Sequence, residues 1–120
     1  MINIRDIVKI SPGLLTIAPT HKCTASCKNC CFGCNPSIEK VLSYKEIVKY
    51  IDEAIATYPS IKILVLTGGE CFLLQDVLIK TIEYAKSKNL LTRVVTNAYW
   101  ATTYENAVKR LEPIVRAGLT

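Results

Sequence analysis

Ile61-Lys62-Ile63-Leu64-Val65-Leu66-Thr67-Gly68-Gly69-Glu70 opens on a run that is apolar except at Lys62 and closes on two glycines. Pro59-Ser60 stands before it. Near-continuous apolarity of strand length between breakers predicts a parallel strand covered on both faces. The segments around it follow a helix period. Upstream, Ser43-Tyr44-Lys45-Glu46 reads as a capping box, and Ile47, Ile51, Ala54, Ile55 and Tyr58 fall on one stripe before Pro59 stops the helix. Downstream, a helix from about Asp76 to Ser87 groups Leu78, Ile82 and Ala85. Leu91-Thr92-Arg93-Val94-Val95-Thr96 is expected to be the third strand and Leu14-Leu15-Thr16-Ile17-Ala18, closed by Pro19, the first. A second capping box, Thr102-Thr103-Tyr104-Glu105, precedes a stripe of Ala107, Val108, Leu111, Ile114 and Val115 that is expected to be buried. Pro113 is expected to kink that helix or end it early, with Gly118 as its stop. Three strand-helix units in succession predict an α/β fold with a parallel, right-handed (βα)3 sheet.

The chain has 120 residues, half of them hydrophobic and 21% charged, which suits one globular domain rather than a disordered segment. The net charge of +5 is spread along helices, so the lysines read as solvated faces and imply no nucleic-acid partner. No apolar run has the ~18 residues of a membrane span. Met1-Ile2-Asn3-Ile4-Arg5-Asp6 lacks the basic start and apolar stretch of an export signal. Six cysteines without such a signal predict a reducing, cytoplasmic setting and metal binding rather than disulfides.

Residues 19 to 42 form a long polar connection, and connections of that length in compact domains are usually functional. It carries Cys23, Cys27 and Cys30 in a C-x3-C-x2-C pattern. Soft, anionic thiolates bind iron–sulfur clusters strongly, and three of them leave the fourth iron of a cube without a protein ligand. The plainer alternative is a zinc knuckle or structural thiols. Cys31 and Cys34 also leave room for a fourth ligand, which would make an electron carrier, or for a zinc site with Cys27 and Cys30. Zinc pairs normally lie more than ~12 residues apart, whereas these abut. Gly68 and Gly69 permit close backbone approach, and Glu70 can accept from an ammonium; a strand-ending turn with a solvated glutamate is the plainer reading. Strand-end loops of one parallel sheet share a rim, so the cysteine loop, Gly68-Gly69-Glu70 and Asn97 are expected together there.

On Cys23-Thr24-Ala25-Ser26-Cys27-Lys28-Asn29-Cys30 and Thr67-Gly68-Gly69-Glu70 the sequence resembles the radical S-adenosylmethionine (radical SAM) superfamily. The resemblance implies that Cys23, Cys27 and Cys30 bind a [4Fe–4S] cluster whose open iron is chelated by S-adenosyl-L-methionine (SAM). It implies cofactor contacts from Gly68, Gly69 and Glu70, and Asn97 on the same rim is expected to reach cofactor or substrate. The activity implied is reductive cleavage of SAM to a 5′-deoxyadenosyl radical that abstracts hydrogen, with a reductase, flavodoxin or ferredoxin as electron donor. The fold implied is a partial TIM-type (β/α)6 barrel, of which this chain would be the N-terminal (βα)3 half, a truncated core domain over residues 1–120. Gly68-Gly69-Glu70-Cys71-Phe72-Leu73 resembles members that modify peptides, which makes a peptide or a small molecule the expected substrate. Two positions depart from the pattern: Cys71 stands where proline is common, and Asn29 where an aromatic residue commonly packs near the adenine. Phe32 is a candidate replacement for that packing. The rival readings are an iron–sulfur electron carrier with a fourth cysteine, a zinc-stabilised binding module and an inactive fragment.

Overall fold

Strands β1 (Leu14–Ile17), β2 (Ile63–Leu66) and β3 (Leu91–Val94) pair in parallel in the order β1-β2-β3. Each is followed by a helix, α1 (Tyr44–Thr57), α2 (Gln75–Ser87) and α3 (Tyr104–Ala117). The structure is a computed structural model describing residues 11–120, so the reading of Met1 to Asp6 lies outside the described residues. Among those residues no helix is long and apolar enough to cross a membrane. The sheet is open, as expected of three βα units. Its register sets Ile17, Leu66 and Val94 level with one another. All three chains therefore leave the sheet side by side on one edge, which is what gathers their loops.

The helices share one core with one face of the sheet. Ile47 and Ile51 of α1, Ile82 of α2, Ile114 of α3 and Leu64 and Leu66 of β2 are all fully buried. Each such side chain contributes roughly 1.5–3 kcal/mol by leaving water. The capping box of α1 forms as expected: the Glu46 N–H donates to Ser43 Oγ at 3.2 Å, and the Ser43 N–H donates to Glu46 Oε2 at 2.8 Å. The Tyr84 hydroxyl donates to Asp52, joining α2 to α1 across their exposed sides.

Five expectations need correction. The second face of β2 is only partly covered, since Ile63 and Val65 are half-buried beside fully buried Leu64 and Leu66. β3 stops at Val94: the Val95 N–H still donates to Leu66 O at 2.9 Å, but the Thr96 hydroxyl donates to Glu70 at 2.7 Å. The α3 cap is Thr103 rather than Thr102: its hydroxyl accepts from the Asn106 N–H at 3.1 Å, so Glu105 falls outside any capping box. Pro113 does not end α3, which runs on to Ala117, where Gly118 in the left-handed region (φ 114°) closes it. The stripe expected on α3 is largely uncovered. Ile114 and Ala117 are buried, but Val108, Leu111 and Val115 are exposed, because α3 packs chiefly against α2.

Burial predicts where truncation matters. Ile51→Ala should cost about 2–5 kcal/mol of unfolding free energy in a urea titration. Tyr104→Ala, at a side chain 85% exposed, should cost within about 0.5 kcal/mol. Equal losses would contradict the single shared core.

Candidate metal and cofactor site

The backbone after β1 runs alongside the backbone after β2 and continues their pairing beyond the regular strands. The Thr67 N–H donates to Ile17 O at 3.0 Å, the Gly69 N–H to Thr20 O at 2.9 Å and the Glu70 N–H to Lys22 O at 2.9 Å. This close passage explains both glycines. Gly68 sits at φ 110°, and a Cβ there would meet the Thr20 carbonyl oxygen. A Cβ on Gly69 would fall on the Lys22 carbonyl. The chain that presses on them is the entry to the cysteine loop, so the glycines set where Cys23 begins.

Cys23, Cys27, Cys30, Gly68, Gly69 and Asn97 line one recess of about 260 Å³ on the rim. Cys34 lines it too, whereas Cys31 is exposed and outside it. The loop is tightened by its own turns: the Cys30 N–H donates to Cys27 O at 3.2 Å, and the Gly33 N–H to Cys30 O at 3.1 Å. Backbone N–H groups of Cys34 and Phe32 point at the Cys30 sulfur and hold its thiol below the usual range, which favours the thiolate form that binds metals. Cys34 behaves oppositely. Burial, and then the hydrogen bond it shares with Cys30, pushes its thiol up to about 11. Among the described residues no group of three or more Cys, His, Asp or Glu side chains is arranged to hold a metal ion. What the three cysteines share is the lining of one recess.

Glu70 does not line the recess. Its side chain is fully buried and its carboxylate accepts from three donors: the Phe72 N–H at 3.1 Å, the Thr96 hydroxyl at 2.7 Å and the Asn97 N–H at 2.8 Å. The Thr96 oxygen itself accepts from Trp100 Nε1 at 3.2 Å and from the Ala98 N–H at 3.0 Å, which leaves its proton for Glu70. Glu70 thereby caps the 3₁₀ turn Cys71–Leu74 that leads into α2 and ties it to the loop after β3. Sequence reasoning missed this turn and this network. The clue available was Thr96-Asn97, two short polar residues placed to meet a carboxylate across the rim.

Other candidates fall elsewhere. Phe32 packs at a tilt against His21, with ring centroids 5.5 Å apart, and neither lines the recess, so the structure does not put Phe32 where the adenine packing was anticipated. Trp100 stacks on buried Phe72 at 4.5 Å and belongs to the packing. Cys71 is buried, donates to Val95 O at 3.3 Å and is pushed up to about 12 by burial and by Glu70, which marks an inert thiol.

The Glu70 geometry yields a direct test. Glu70→Gln would set an amide N–H against a donor and cost about 1–3 kcal/mol in urea unfolding without any ligand. Glu105→Gln, at an exposed residue, should cost nothing measurable. No loss at Glu70→Gln would restore a solvated glutamate free to meet an ammonium.

Residues 17–120 match the family model described as the Radical SAM superfamily. Over 79 residues the chain is 29% identical to a protein of Bacillus subtilis (strain 168) named "Putative peptide biosynthesis protein YydG". The match covers 66% of this chain and 24% of that relative's length. A family match over nearly all the described residues, on a parallel sheet whose rim gathers the three cysteines and the Gly-Gly pair, means that this chain belongs to the radical SAM superfamily.

Proposed function

We propose that the chain forms part of an enzyme that holds a [4Fe–4S] cluster through Cys23, Cys27 and Cys30 and binds SAM beside it, with a peptide as substrate. One observation carries this reading: the three cysteines line a single recess together with Gly68, Gly69 and Asn97. Three thiolates on one recess can each take a separate iron of a cube. When bound, the pair of cofactors supplies one-electron cleavage of SAM to methionine and a 5′-deoxyadenosyl radical that takes a hydrogen atom from the substrate.

The chain's own residues have four tasks in this account. Cys23, Cys27 and Cys30 hold three corners of the cluster. Gly68 and Gly69 bring bare backbone to the recess wall, where peptide groups can hydrogen-bond the amino-acid end of SAM. Glu70 fixes the position of that wall from behind rather than meeting the cofactor. Val95 and Thr96 supply the wall toward β3 and keep water from the reacting atoms. The peptide substrate is supported by the relative's name alone, and a reductase, flavodoxin or ferredoxin would supply the electron.

The electron-carrier reading needs a fourth thiolate on a fourth corner. Cys34 is the one further cysteine on the recess, and it lies within hydrogen-bond reach of Cys30, at a corner already taken. Anaerobic reconstitution should load about four irons and four sulfides per chain. Cys23→Ala, Cys27→Ala and Cys30→Ala should each lose the cluster, whereas Cys31→Ala and Cys34→Ala should keep it. Formation of 5′-deoxyadenosine from SAM that persists in the triple Ala variant would overturn the assignment.

A further inference from the structure

Asn97 carries a hydrogen-bond pattern that its place at the rim does not require. Its side-chain oxygen accepts from the Tyr99 N–H at 3.0 Å, which fixes which way the amide faces. The amide nitrogen is thereby turned to the cysteine loop, where it donates to Thr24 Oγ1 at 2.9 Å and to the Cys23 sulfur at 3.7 Å. Its backbone N–H is held by Glu70 Oε2 at 2.8 Å. The next residue, Ala98, stands at φ 56°, a left-handed conformation that is unfavourable for an alanine. That conformation is stabilised locally, since the Ala98 N–H donates to Thr96 Oγ1 at 3.0 Å and Ala98 O accepts from the Ala101 N–H at 2.9 Å. Five other hydrogen bonds and a neighbour in the left-handed region therefore aim one N–H at one sulfur.

We infer that Asn97 is a positioning residue for the Cys23 ligand, orienting its sulfur and drawing electron density from it, rather than a contact to SAM or substrate. The inference rests on the cluster reading above. A hydrogen bond to a ligating sulfur stabilises the more negative, reduced cluster and so raises the reduction potential. It also holds the ligand against release, as partners behind metal ligands do elsewhere. The cysteine loop and the β3 loop are joined at this bond, so the support behind it, Glu70 with Thr96, acts on Cys23 through Asn97.

The test uses the reconstituted full chain and reads potential and cluster retention rather than turnover. Asn97→Asp keeps the size of the side chain and an acceptor for the Tyr99 N–H but sets a carboxylate against the thiolate. It should shift the cluster midpoint potential negative and release iron to a chelator roughly tenfold faster or more. Asn97→Ala should shift both in the same direction by less, and it supplies the answer if Asn97→Asp does not fold. A structural role alone would speed release and lower the unfolding midpoint but leave the potential where it was. Unchanged potentials in variants that bind a cluster would overturn the inference and leave the cluster reading standing. A wild-type chain that is folded and takes up no cluster would overturn both.

Discussion

The buried carboxylate of Glu70 is the interaction on which the rim depends. Removing a carboxylate from water costs several kcal/mol after relaxation, and each hydrogen bond to a charged group returns about 1.5–3 kcal/mol. Three donors from two different segments meet that cost: the 3₁₀ turn after Gly69 and the loop after β3. Satisfying the carboxylate therefore requires those segments to be where they are. The first is pressed on its other side by the entry to the cysteine loop, which hydrogen-bonds across Gly68 and Gly69. The second reaches back to Cys23 through Asn97. One buried group thus fixes the separation of the three loops that surround the recess.

The division of labour within Gly68-Gly69-Glu70 follows from this. The backbone faces the recess, while the acid faces the interior and never meets solvent. The fold beneath has a matching simplicity: one covered face of the sheet carries Leu64 and Leu66 among the helix isoleucines, and the level strand ends bring the cysteine loop, the Gly-Gly pair and Asn97 to one edge. The other face, with Ile63 and Val65 half-buried, and the exposed stripe of Val108, Leu111 and Val115 on α3 do not contribute to that core.

Periodicity made most of the fold legible. The strands, the helices and the α1 cap follow from local patterns that packing does not override. The failures are equally local in cause. Thr102 and Thr103 both fit a cap, and only the backbone geometry selects Thr103. Val95 and Thr96 look like strand, but Glu70 draws Thr96 away from the sheet. The stripe on α3 shows which side of the helix is apolar and cannot show how much of it a neighbour covers. At the site, the three cysteines and the glycines stood out through chemistry and spacing. The hydrogen bonds of Glu70 did not, because they join it to Thr96 and Asn97, 26 and 27 residues further on, whose meeting only the sheet register decides.

Low-temperature EPR of the anaerobically reconstituted, dithionite-reduced chain, recorded with and without SAM, tests the central claim most directly. A reduced [4Fe–4S] signal that shifts when SAM is added is the predicted result, because an iron without a protein ligand then takes the cofactor. A signal indifferent to SAM, or a folded protein that yields no iron signal at all, would contradict the account.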